Sequence, residues 1–180
     1  MRLKLKQYKL VSKSKTPKES HTILTNLILP GETNVYNNMF GGELLSRMDR
    51  VASISARKHS GRQTMTASVN HVSFKMPIPV GSIVRLEAKV SRAFNTSMEV
   101  VVDVWIDYVD GKASIKSNEG IYTFVSIDKN NLPQKVPRLK PETKQEKKRY
   151  KEALLRKELS LIMGGRKTIE ESNILNYISN

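Results

Sequence analysis

The stretch FGGELLSRMDRVASISARKHSG, Phe40 to Gly61, decides the fold. Its apolar residues Leu44, Leu45, Met48, Ala52 and Ala56 recur at spacings of one, three and four, which is the period of an α-helix, here of about four to five turns. Arg57 and Lys58 place cations near its negative pole, and Gly61 is set to end it. Beyond Gly61 the period drops to two. QTMTASVNHVSFKM, SIVRLEAKVSRAF, SMEVVVDVWIDYV and ASIKSNEGIYTFVSID are β-branched segments separated by MPIPVG, by Asn95-Thr96 and by the hairpin signal Asp110-Gly111. Upstream, HTILTNLILP reads as a further strand ended by Pro30-Gly31, before the polar loop ETNVYNNMF. One strand, one helix and four consecutive antiparallel strands define an α+β fold. The helix has one broad apolar stripe, so the sheet must wrap around it.

The flanks differ in composition. From Lys129 proline and lysine accumulate, and the charged segment Glu142 to Met163 carries Tyr150, Leu154, Leu155, Leu159 and Ile162 at helical spacing, closed by Gly164-Gly165. The chain therefore divides into a basic N-terminal extension (1–19), a central domain (20–135) and a charged C-terminal helical extension (136–180) that packs on a subunit surface or extends an oligomer contact. TIEESNILNYISN, at the end, reads as another short helix or a loose tail. The net charge is +14, and the two extensions hold +11 of it. A basic extension is a solvated face or a site for phosphates, nucleic acid or anionic lipid, so charge alone names no partner.

The 180 residues contain no cysteine, which removes disulfides, thiolate zinc sites and cysteine nucleophiles. His21, His59 and His71 are too scattered to suggest a metal cluster. No run reaches the ~20 apolar residues of a membrane span, and the N-terminus lacks a secretory pattern, so the expected location is the cytoplasm. Chemistry must then rest on carboxylate, hydroxyl and amide groups.

Two glycines at the start of the helix let another molecule approach the backbone, where unpaired N–H groups at the positive end of the dipole suit a developing oxyanion. Close helix–sheet packing is the other reading of Gly41-Gly42. Asp49 follows Gly42 and Leu45 at spacings of three and four, so it stands two turns along the same face, beside the apolar stripe. Such an edge is where a carboxylate becomes a general base. An ion pair with Arg47 or Arg50 is the structural alternative. Asn34 and Asn38, in the loop before the helix, can orient a water or a carbonyl, or simply shape a turn.

With these residues in view, the order TN…FGGELLSRMDRVASISARKHSG, TASVNHVSFKMPIPVGSIVRLEAKV and TSMEVVVDVW resembles the hotdog-fold acyl-CoA thioesterases, in particular the bacterial acyl-CoA hydrolase branch, over about residues 20 to 130. The resemblance implies an antiparallel sheet wrapped around one central helix, pairing of two hotdogs into a dimer, and dimers assembled as trimers. It implies a catalytic set of Asp49 as base or nucleophile, Asn34 as partner amide and the Gly42 N–H as oxyanion donor, with Asn34 and Asp49 able to come from facing subunits. It further implies CoA contacts at Arg57, Lys58, His59, Arg92, Thr96 and Ser97, and an acyl pocket at Asn38, Met39, Phe40 and Met48. CoA enters as part of the substrate, and no separate cofactor is expected. Asn37 and Asn95 stand where many relatives carry glycine. Asparagine tolerates a left-handed backbone, so both turns can persist.

The same residues admit rival functions. A dehydratase of this fold needs a catalytic histidine by the central helix, and His59 at its end is poorly placed. A non-catalytic acyl-CoA-binding regulator acting on DNA needs a helix-turn-helix, for which 19 residues are too few. Direct nucleic-acid binding calls for aromatics among the cations, and the extensions offer only Tyr8, Tyr150 and Tyr177.

Overall fold

The computed structural model describes residues 14–172 and Ile174. The first thirteen residues of the basic N-terminal extension, with Tyr8, and the end of the chain, with Tyr177, lie outside the described residues. The elements run α1 (Pro17–Ser20), β1 (Thr22–Leu27), a 3-10 turn (Pro30–Glu32), α2 (Gly41–Ser60), β2 (Gln63–Phe74), β3 (Ile83–Ala93), β4 (Ser97–Asp107), β5 (Ile115–Ile127) and α3 (Lys144–Met163). The five strands form one antiparallel sheet with α2 against one face, a hotdog architecture.

The central helix forms as its pattern predicts. Leu44, Met48, Val51, Ala52, Ser55 and Ala56 are buried, and the Gly61 N–H caps the Arg57 carbonyl at 2.8 Å with φ 66°, a backbone that favours glycine. The inner-facing residues of β4, Met98, Val100, Val102 and Val104, are fully buried in the same core as α2. Burial of so many aliphatic side chains, roughly 1.5–3 kcal/mol each, is what holds the helix in the sheet's curve. Gly120 on β5 makes this close approach possible. A Cβ there would lie 2.3 Å from the terminal methyl of Met48 and 3.0 Å from the Tyr122 ring.

Strand order departs from a simple succession. The sheet runs β1-β3-β4-β5-β2, so β2 does not pair with β3, the next strand along the chain, but crosses to the far edge beside β5. The MPIPVG segment carries that crossover. β2 is thus a twelve-residue edge strand with register shifts at Thr66/Ser68 and Val69/His71, and its Met65, Val69 and Phe74 side chains are exposed. A long edge of this kind, with unpaired N–H and C=O groups, is a template for another strand.

The other face of the sheet carries α3. Its start is fixed by a capping box, with Thr143 Oγ1 accepting from the Glu146 N–H at 3.2 Å and Glu146 Oε2 accepting from the Thr143 N–H at 3.0 Å. Two guanidinium–carboxylate forks then clamp it to the outward-facing residues of β4. Arg156 meets the buried Glu99 through two bonds of 2.8 Å, and Arg149 meets Asp103 at 2.9 and 2.7 Å. Burial alone would raise the Asp103 carboxyl, yet Arg149 and Lys116 together hold it below the ordinary aspartate range. Val136 and Leu139, at the start of the C-terminal extension, pack in the main core, and Ala153 of α3 is fully buried.

The two turn asparagines, Asn37 and Asn95, differ. Asn37 does adopt the left-handed backbone, with φ 56°, whereas Asn95 is not among the residues of positive φ.

Candidate active site

Asp49 lies on the side of α2 that faces β2. It is half-buried, and one of its oxygens, Oδ1, accepts a hydrogen bond from the Thr66 hydroxyl at 2.9 Å. The carboxylate has no salt-bridge partner among the described residues, so the ion pairs with Arg47 or Arg50 do not form. Arg47 pairs with Glu32 instead. Leu45, Ser46, Asp49, Val69, His71, Val72, Phe74 and Tyr122 line an open groove of about 550 Å³ along β2. A carboxylate oriented by a hydroxyl and set in an apolar groove can take a proton from a water molecule there.

Tyr122 is part of this groove's lining. The residue is 1% exposed and its hydroxyl has no hydrogen-bond partner among the described residues. Burial, reinforced by the Asp49 charge, pushes the phenol up to about 12, so it stays protonated at neutral pH.

The helix start is open. Phe40 occupies the N-cap and offers no side-chain acceptor to the first-turn N–H groups. A Cβ on Gly42 would meet nothing within 4 Å among the described residues, so packing does not require a glycine there, whereas one on Gly41 would meet the Phe74 ring at 3.5 Å. The backbone at Gly42 is therefore free for a carbonyl oxygen to approach.

Asn34 sits in the loop before α2, on a turn of its own making. Its Oδ1 accepts from the Tyr36 and Asn38 N–H groups at 2.9 and 3.2 Å, and its N–H donates to the Asn38 carbonyl at 2.8 Å. Glu32 ties this loop to α2, because it accepts from both the Leu29 N–H and Arg47. Asn34 is not among the residues that line the groove of its own chain.

The expected CoA and acyl contacts fare unequally. Arg57 and Lys58 are exposed at the helix end, with the Lys58 ammonium donating to the His21 carbonyl at 2.8 Å. His59 does not join them. It is fully buried, its Nε2 donates to the Pro137 carbonyl at 2.8 Å, and burial lowers its pKa, so it is a neutral core residue with no surface for phosphate. Arg92 is engaged by α3, donating to the Tyr150 carbonyl at 2.7 Å with its guanidinium 4.0 Å from the Tyr150 ring centre. Thr96 and Ser97 are half-buried at the β3–β4 hairpin. Met39 and Met48 are core residues, Met48 with no exposure at all, so within this chain neither lines the groove. Phe40 is half exposed and Asn38 half-buried. Among the described residues no cluster of three or more His, Asp or Glu could hold a metal ion.

Thr66 and Tyr122 were not legible as site residues in the sequence. Both are ordinary strand residues by pattern, and only the crossing of β2 to β5 brings them opposite Asp49.

A profile of the thioesterase superfamily matches residues 36–108, which include α2, β2, β3 and β4. YkhA of Bacillus subtilis, named an uncharacterized acyl-CoA thioester hydrolase, is 40% identical over 129 residues, covering 72% of this chain and 75% of the relative. This chain belongs to the thioesterase superfamily. Among solved members of the superfamily, the acyl-CoA hydrolase of Staphylococcus aureus in complex with butyryl-CoA, CoA and CoA disulfide superposes with a TM-score of 0.81 at 35% identity, covering 93% of this chain and all of that one. A hexameric thioesterase of Yersinia pestis superposes with a TM-score of 0.60 at 28% identity, covering 64% and 94%. Structures of the S. aureus enzyme also include alanine variants of an asparagine, an aspartate and a threonine, spaced 15 and 17 residues apart in turn. Asn34, Asp49 and Thr66 are the same residue types at the same spacings.

Proposed function

We propose that this chain hydrolyses acyl-CoA thioesters to a free carboxylic acid and CoA, with each active site completed by a second copy of the chain. The observation that carries the reading is the Thr66–Asp49 hydrogen bond in an open groove. It is supported by the matching asparagine, aspartate and threonine of the S. aureus hydrolase and by the 40% identity to a named acyl-CoA thioester hydrolase.

In this reading Asp49 is the general base. It takes a proton from water as the water oxygen bonds to the thioester carbonyl carbon, and the Gly42 N–H donates to the resulting oxyanion. Collapse of the tetrahedral intermediate breaks the C–S bond, and the CoA thiolate leaves and takes up a proton. Direct attack by Asp49 would instead pass through an anhydride. A single turnover in ¹⁸O-water that leaves label in Asp49 establishes the anhydride route, with water attacking the Asp49 carbonyl of the anhydride.

Two copies of β2 paired edge to edge would cover Met65, Val69 and Phe74 and join two five-stranded sheets into one. The Asn34 loop of one copy then lies against the groove of the other, and three such dimers give the hexamer, the state named for the Y. pestis relative. Arg57 and Lys58, together with the Thr96 and Ser97 hydroxyls, are the contacts for the CoA phosphates. Arg92 is omitted because α3 already holds it. The acyl chain runs past Phe40 into the groove lined by Leu45, Val69 and Val72.

Thiol release from a panel of short to long acyl-CoAs tests the reading. Turnover that depends on chain length and collapses in Asp49→Ala is expected. Tight acyl-CoA binding by the wild type without thiol release would overturn it in favour of a non-catalytic acyl-CoA sensor.

A further inference from the structure

Among the buried side chains whose polar atoms lack a hydrogen-bond partner within the described residues, Tyr122 is the one that lines the Asp49 groove. Its ring is fixed between β5 and α2, because Gly120 leaves the space that a Cβ would take beside the Tyr122 ring and the Met48 methyl. Its hydroxyl is buried and has no partner among the described residues. A buried hydroxyl in that state is costly, and a phenylalanine would fill the same space without the cost. The orphaned group points to a ligand that completes it. Tyr122 lines the groove that contains Asp49, and the Asp49 charge acts on the phenol. Thr66 already occupies Oδ1 of Asp49, which leaves Oδ2 for the reacting water.

Resting on the hydrolase reading above, we propose that the Tyr122 hydroxyl donates a hydrogen bond to the water that Asp49 activates and so fixes the direction of its attack. The water then has Asp49 Oδ2 as its acceptor, Tyr122 as its donor and one lone pair free for the carbonyl carbon. Tyr122 transfers no proton. Its hydroxyl remains protonated at neutral pH, so it acts only by position. Thr66 orients the base and Tyr122 orients the nucleophile, from neighbouring strands on the same side of the sheet.

The test is Tyr122→Phe in the full chain, measured by steady-state thiol release on the acyl-CoA the wild type prefers and by thermal unfolding. The variant removes only an oxygen that lacks a partner, so the melting temperature is expected to hold or rise. The expected kinetic result is a fall in kcat of about tenfold to a hundredfold, with KM within about threefold of wild type. A merely structural tyrosine would not separate kcat from KM in this way. A kcat within about twofold of wild type would overturn the proposal and leave the hydrolase reading standing, as would a rise in KM alone, which would make the hydroxyl a contact of the acyl group. Absence of thiol release by the wild type would overturn both.

Discussion

The Thr66 hydroxyl on β2 donates to Oδ1 of Asp49 on α2 at 2.9 Å, across 17 residues of sequence and across the junction of helix and edge strand. The bond fixes the rotamer of a carboxylate that no cation among the described residues holds. Thr66→Val keeps the shape and removes the donor, so folding should be retained while kcat falls by about tenfold to a hundredfold. Asp49→Asn should cost more, on the order of a thousandfold, because the base itself is lost. Thiol-release assays on both variants check the order. A Thr66→Val enzyme as fast as wild type would remove Thr66 from the mechanism.

Asn34 uses Oδ1 on its own turn, and it does not line the groove of its own chain. If it serves the groove of a facing copy, two inactive variants should complement each other. Mixed assemblies formed by co-expressing Asn34→Ala with Asp49→Ala contain dimers with one intact site, and random pairing should restore about a quarter of wild-type activity. Activity no higher than that of the separate variants would place both residues in one subunit or remove Asn34 from the site.

Much of this arrangement was legible in the sequence, and the missing parts share one physical cause. Periodicity located α2, the four strands after it and α3, because each buries one face and so imprints a period of 3.6 or 2 on the chain. Gly61 marked the end of α2 because an αL backbone there favours glycine. The loop MPIPVG, however, gives no sign that β2 crosses to β5 instead of pairing with β3. Without that crossover Thr66 and Tyr122 are two more strand residues. His59 misled for a related reason. As a polar residue beside Arg57 and Lys58 it reads as part of a cationic surface, and only the return of the chain at Pro137 shows that it is covered.

The forks from α3 to the sheet bear on stability. Glu99 is 2% exposed and depends on Arg156, with Ser91 as its other partner. Arg156→Leu leaves that carboxylate buried without a cation and should destabilise the chain by roughly 3 kcal/mol, the low end for a broken buried pair because the arginine is partly solvated. Replacing both partners, Glu99→Leu with Arg156→Leu, should recover most of the loss. Urea unfolding of the wild type, Arg156→Leu and the double variant measures it. Equal losses in the two variants would show that the fork stabilises α3 docking by more than it costs to bury.

His59 supplies a pH dependence whose sign follows from its burial. Its Nε2 carries the proton that bonds the Pro137 carbonyl, its Nδ1 is buried with no partner among the described residues, and desolvation holds its pKa below the ordinary 6.5. The unfolded chain therefore binds a proton that the folded chain refuses. Stability is complete above pH 6.5 and declines as the pH falls below it, by up to about 1.4 kcal/mol per unit for one proton, until the folded imidazole itself titrates. His21 is lowered as well, by its burial and by Lys89 and Lys58, and adds to the same slope. Urea midpoints measured between pH 7.5 and 5, with His59→Gln alongside, should show a shallower decline in the variant whatever its absolute stability. Parallel profiles would mean that His59 takes up its proton without disturbing the core, and the slope would then belong to His21 and to carboxylates held low, such as Asp103.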